Sequence, residues 1–113
     1  GKHLPIMHCL AFTHGWEITD ELVRYVNYTV NKRSFGFYDW RHYAGVFNFA
    51  GSESIELVGL CTDICVISNA LMLKAEFYNI GDITVVADAC AGVTPEKHEA
   101  ALEVMRSCQI NVI

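Results

Sequence analysis

The stretch Ile55-Glu56-Leu57-Val58-Gly59-Leu60-Cys61-Thr62-Asp63-Ile64-Cys65-Val66-Ile67-Ser68-Asn69-Ala70 decides how this chain folds. Its first part is a mainly apolar run of strand length, predicting a strand over 54–60. A sharp turn follows, and a helix opens at Thr62. The turn places Cys65 in the first turn of that helix. A thiol there meets the positive end of the helix dipole and nearby backbone N–H groups, which favour the thiolate. That is one established way to make a cysteine nucleophilic.

Working outward, the helix is predicted over 62–78 and is apolar on most faces, with Ile64, Ile67, Ala70, Leu71, Leu73 and Phe77. Such a helix is expected to lie against a sheet or a partner chain, so a homo-oligomer is expected. Residues 82–87 (Asp-Ile-Thr-Val-Val-Ala) form a nearly continuous apolar run, as buried parallel strands do. Thr94 caps a further helix with Pro95 at its first position. In that helix Ala101, Leu102, Met105 and Cys108 make one stripe. A last strand starts within 110–113.

Upstream the pattern is less regular. Residues 1–18 lack a clean period and read as a loop carrying Pro5, Gly15 and the histidines His3, His8 and His14. Thr19 is a helix cap with Asp20 and Glu21 in the first turn. Leu22, Val23, Tyr25 and Val26 give that helix an apolar side. The β-branched and aromatic run 28–32 predicts a short strand ending at Lys32. A loop over 33–37, a short helix over 39–48 and a break at Gly51-Ser52 complete the layout. Strand, helix, strand, helix, strand implies right-handed crossovers and a parallel sheet with helices on both faces. Sites in such folds form at the carboxyl ends of the strands. Lys32 lies at one such end and Cys65 just beyond another.

Composition narrows the function classes. The chain has 113 residues, enough for one domain with a core, and is 52% apolar, which excludes a disordered chain. A net charge of −5 without a basic cluster argues against nucleic acid or an acidic membrane as partner. The expected partner is a small-molecule substrate. Five cysteines, Cys9, Cys61, Cys65, Cys90 and Cys108, are an odd number, so a reducing, cytoplasmic setting is the simplest account.

Four stretches together resemble the isochorismatase-like cysteine hydrolases, a family that includes the nicotinamidases. Gly59-Leu60-Cys61-Thr62-Asp63-Ile64-Cys65-Val66 is similar to the family's Thr-Asp-x-Cys-Val signature, with Cys61 where alanine is usual. Lys32, within Val30-Asn31-Lys32-Arg33-Ser34-Phe35, resembles the strand-end lysine. His8-Cys9 followed by Thr13-x-Gly15-x-Glu17 resembles the family loop, with Phe12 where that loop has glycine and Met7 where proline is expected. Asp88-Ala89-Cys90-Ala91-Gly92 and His98-Glu99-x-Ala101-Leu102 resemble the late strand and helix.

The resemblance implies a three-layer α/β/α fold with a mostly parallel, Rossmann-like sheet. It implies hydrolysis of a C–N bond other than a peptide bond, in a small amide, through an acyl-enzyme. Cys65 would be the nucleophile, and Lys32 would stabilise the thiolate and the developing charge. The backbone N–H groups of Cys61 and Cys65 would form the oxyanion hole. In the family the peptide bond matching Leu60–Cys61 is cis, turning the Cys61 N–H toward the substrate oxygen. The family's catalytic aspartate and its Asp-x-His-x-His motif, which in metal-bearing members holds a divalent ion such as zinc, match positions upstream of these residues. The chain therefore resembles a single domain, 1–113, that is N-terminally incomplete and lacks the first two strands. No cofactor is expected within the chain itself, and pairing with a missing N-terminal segment is an alternative to a homo-oligomer.

Other readings of the residues stay open. A member without the aspartate could bind a small carbonyl compound or a partner protein without catalysis, because acid–base help is worth roughly 10²–10⁴-fold. The Cys61-x₃-Cys65 spacing is also compatible with a thiol-redox pair. Asp63 is expected to favour the helix N-terminus rather than to join the catalytic set. Asp88 is expected to end a strand, either facing the site or forming a turn. Trp16, Phe35, Phe37, Tyr38 and Trp40 fit either an aromatic pocket wall or the core.

Overall fold

A computed structural model of the chain describes residues 9–47, 54–78 and 81–113. The chain divides into two compact units, Gly1–Asn31 and Lys32–Ile113. In the first, the described residues form a 3₁₀ turn, His14–Trp16, and one helical turn, α1 (Asp20–Val23). Thr19 precedes α1 as expected, but its side chain makes no capping hydrogen bond. Its carbonyl instead accepts from the Leu22 and Val23 N–H groups. Phe12 adopts φ +66°, in the left-handed region where the family loop has glycine, and its ring packs on Trp16 at 5.4 Å.

The second unit carries α2 (Trp40–Phe47), β1 (Ser54–Leu60), a π-helical turn (Thr62–Val66), α3 (Ile67–Glu76), β2 (Asp82–Ala91), α4 (Pro95–Ser107) and β3 (Asn111–Val112). The strands form a parallel sheet in the order β1-β2-β3. This is the α/β architecture expected from the alternating pattern, a three-strand parallel sheet flanked by helices. β2 is central, and Ile83, Thr84 and Val85 in succession are buried on it, which explains its unbroken apolar run. Val66, Ala70, Leu73 and Phe77 recur at helical spacing and meet β2 and the Ala101, Leu102 and Met105 stripe of α4 in one core.

Three expectations need correction. Residues 28–32 form no strand among the described residues. Their side chains suit a pleated sheet, but a strand exists only through a hydrogen-bonded neighbour. β2 runs to Ala91 rather than ending at 87. Its register with β1 jumps from Leu57↔Val85 to Gly59↔Cys90, so the longer strand absorbs extra residues at an irregularity. Asp88 therefore lies exposed within β2 and does not end it. Cys108 leaves the α4 stripe: the helix stops at Ser107 and Cys108 is its exposed C-cap.

The ends of α4 show how locally the sequence acts. Thr94 Oγ1 accepts the Lys97 N–H at 3.2 Å, with Pro95 at the first helical position. At the other end the Ile110 N–H reaches the Met105 carbonyl and the Gln109 N–H reaches the Arg106 carbonyl, both at 3.0 Å. These paired bonds are a Schellman motif, and Gln109 supplies its left-handed residue at φ +63°.

Candidate active site

Cys65 does not sit in an α-helical first turn. It occupies the π-helical turn, closed by the Val66 N–H donating to the Cys61 carbonyl at 3.1 Å, and α3 begins only at Ile67. Single π turns inside helices are rare and are frequent at functional sites. The side chains continue the departure from regular helix. Ser68 Oγ donates to the Ile64 carbonyl at 2.6 Å, and Asn69 Nδ2 to the Cys65 carbonyl at 2.9 Å. Such back-bonding competes with the ordinary backbone ladder. The Leu60–Cys61 peptide bond ahead of the turn is cis.

Lys32 Nζ stands 3.6 Å from Cys65 Sγ and donates to the Ser34 carbonyl at 3.0 Å. The ammonium is exposed and the sulfur half-buried. Two candidate site residues from separate parts of the sequence are thus in direct contact. Cys65 also lines a cleft of about 110 Å³ with Leu57, Val58, Leu60, Val66 and Asn69. A water needs about 10–15 Å³ on that kind of measure, so the cleft admits a fragment of several atoms. A cation beside the sulfur suits a nucleophile that develops negative charge.

The turn is also braced by α4 and the loop before it. Thr62 is fully buried, and its Oγ1 is hydrogen-bonded to His98 Nδ1 at 2.7 Å. Asp63 Oδ1 accepts the Val93 N–H at 2.9 Å. Its partner is therefore the loop after β2 and not its own helix terminus. Gly92 lies so close that a Cβ there would come within 3 Å of His98 N and Asp63 Oδ1. The similarity noted around Gly92 and His98 thus corresponds to a buttress for the cysteine turn.

Asn69 carried no signal beyond being a poor helix former in a helix. It is buried, and its amide makes four hydrogen bonds. Oδ1 accepts from the Phe37 N–H at 2.8 Å and from Trp40 Nε1 at 3.1 Å. Nδ2 donates to the Phe35 carbonyl at 3.1 Å as well as to the Cys65 carbonyl. An asparagine one helical turn after the cysteine was the only available hint.

The other candidates stay apart. Phe37 is buried with Trp40 and Tyr43 edge-on to its ring, each at 5.1 Å, so Phe37 packs, whereas Trp16, Phe35 and Tyr38 are exposed and Phe37, Tyr38 and Trp40 also line a cleft with Met72. Cys61 and Cys65 are separate free thiols. His3 and His8 lie outside the described residues, and His14 is an exposed neighbour of Glu17 at 3.6 Å. Among the described residues no group of three or more His, Cys, Asp or Glu side chains is placed to hold a metal ion. They offer no fit for a divalent cation. No helix among them is long and apolar enough to cross a membrane.

Comparison with known proteins places this geometry. The Isochorismatase domain family matches residues 2–113. Comparison with curated proteins gives no match. Among solved structures, the chain is similar to a nicotinamidase/pyrazinamidase from Bacillus subtilis, with 25% identity and a TM-score of 0.75, over 95% of this chain and 62% of that one. An isochorismatase-like hydrolase from Alkaliphilus metalliredigens gives 25% identity and a TM-score of 0.71, over 94% and 57%. A pyrazinamidase of Pyrococcus horikoshii, solved in complex with zinc, gives 25% and 0.73, over 95% and 61%. The chain spans about 60% of the length of these structures. The described residues share the α/β fold of these structures, and the chain belongs to the isochorismatase family.

Proposed function

We propose that this chain carries the nucleophile half of a cysteine amidase acting on a small aromatic amide of the nicotinamide or pyrazinamide type. The observation that carries the reading is the 3.6 Å approach of Lys32 Nζ to Cys65 Sγ at the mouth of a small cleft. The similarity to solved nicotinamidase/pyrazinamidase structures supports this choice of substrate class. In this reading Cys65 sulfur attacks the amide carbonyl carbon. The C–N bond breaks, and the thiol proton leaves with the departing ammonia. Water then cleaves the thioester, giving the carboxylic acid and restoring the thiol. Lys32 stabilises negative charge on sulfur, and the N–H groups of Cys61 and Cys65 receive the carbonyl oxygen. One such donor is worth about 10²–10³ in rate. The five free cysteines go with a reducing compartment.

The test is incubation with nicotinamide and with pyrazinamide, followed by ammonia measurement and acid quench for mass spectrometry of the cysteine peptides. The reading expects an acyl adduct on Cys65 and loss of ammonia release in Cys65→Ala. Ammonia release that survives Cys65→Ala contradicts it. Binding of the amide without adduct or release favours the non-catalytic member instead.

A further inference from the structure

We infer that Asn69 is the positioning residue that sets the distance between the Lys32 ammonium and the Cys65 sulfur. The inference rests on the reading of those two groups as the reacting pair.

An amide side chain has two acceptor lone pairs and two N–H donors, and Asn69 uses all four. The chemistry of the partners also fixes which way the amide points. Two donors, the Phe37 N–H and Trp40 Nε1, lie on its oxygen side, and two carbonyls, of Phe35 and Cys65, lie on its nitrogen side. One partner is the nucleophile's own carbonyl. The other three belong to the segment that follows Lys32. Within that segment Lys32 Nζ is tethered to the Ser34 carbonyl, and Ser34 Oγ donates to the Gly36 carbonyl at 2.7 Å. Gly36 in turn lies against the Met72 side chain of α3. Hydrogen bonds joined by short stretches of backbone therefore connect the ammonium to the sulfur-bearing residue through Asn69. An asparagine needed only for helix packing would not require partners on two segments separated by more than two dozen residues. Buried and saturated networks of this kind specify a single arrangement.

The test reads charge, not turnover. Native protein is alkylated in parallel with anionic iodoacetate and neutral iodoacetamide, and the rate ratio at Cys65 is divided by the ratio at Cys108 in the same sample. A cation about 4 Å away in water favours the anionic reagent roughly fivefold. The inference expects that preference in the wild type, its loss in Lys32→Met, and a fall of at least roughly half in Asn69→Ala and in the near-isosteric Asn69→Leu. In a Lys32→Met background the Asn69 substitutions should change nothing further. Met105→Ala, which opens the core away from this network, should lower Tm and leave the preference intact. Asn69 variants that fold, melt lower and keep the wild-type preference would overturn the positioning role while the Lys32–Cys65 pair stands. A wild type without any preference would remove the pair itself, and the inference with it. Should Asn69→Ala fail to fold, Trp40→Phe deletes one of the four bonds and is expected to lower the preference partway; an unchanged value there counts against the inference.

Discussion

Lys32 and Cys65 are 33 residues apart in sequence, yet the ammonium nitrogen of one lies 3.6 Å from the sulfur of the other. The contact is made across solvent-exposed space, so its strength is that of a screened charge interaction and not of a buried ion pair. That sets the scale of what it can do. Its pull on an approaching anion or on charge developing in a reaction is a modest factor, and the cleft and backbone donors must supply the rest.

Replacing Lys32 by Met should therefore slow alkylation of Cys65 by neutral iodoacetamide roughly fivefold at low salt. The deficit should shrink as ionic strength is raised to about 1 M, where the Debye length falls to about 3 Å. Stopped-flow or timed-quench alkylation at two salt concentrations checks both statements.

Gly92→Ala tests the brace behind the cysteine turn. The added methyl would press on the backbone at His98, which cannot turn away as a side-chain end can, and on Asp63 Oδ1, which is held by the Val93 N–H. A loss of about 1–3 kcal/mol in urea unfolding is expected. Alkylation of Cys65 should change as well, because the Asp63–Val93 bond helps hold the turn. Unaltered stability and reactivity would show that the loop moves aside freely.

Gln109 occupies the left-handed position that closes α4, where glycine has no steric penalty. Gln109→Gly should stabilise the chain by about 0.5–1 kcal/mol, net of the greater freedom glycine gains when unfolded. Thermal or urea unfolding followed by circular dichroism measures this, and Cys65 chemistry should be untouched.

Much of the fold was legible because local signals and burial agree. Strand β1 falls where its apolar run places it, and Thr94-Pro95 starts α4 as caps do. Legibility fails where the determining partner is remote. Residues 28–32 have strand-forming side chains, but propensity cannot supply the neighbour that makes a strand. The π turn at Thr62–Val66 depends on one shifted backbone bond, which leaves no mark on hydrophobic spacing. Lys32 and Cys65 were visible as strand-end and turn residues, and their meeting was expected. Asn69 was not, because four hydrogen bonds to distant partners look in sequence like one unfavourable helix residue. Thr62 and His98 were quoted only for their motifs, and the bond between them appears only once α4 is folded against the turn.

The most direct test of the account is competitive alkylation of the native chain with limiting iodoacetamide, resolving all five cysteines by mass spectrometry. Cys108 is exposed and Cys65 only half-exposed, so access alone favours Cys108. An activated sulfur beside Lys32 predicts that Cys65 nonetheless labels first, ahead of Cys108. Labelling of Cys108 at an equal or greater rate would contradict the claim that Cys65 is the nucleophile.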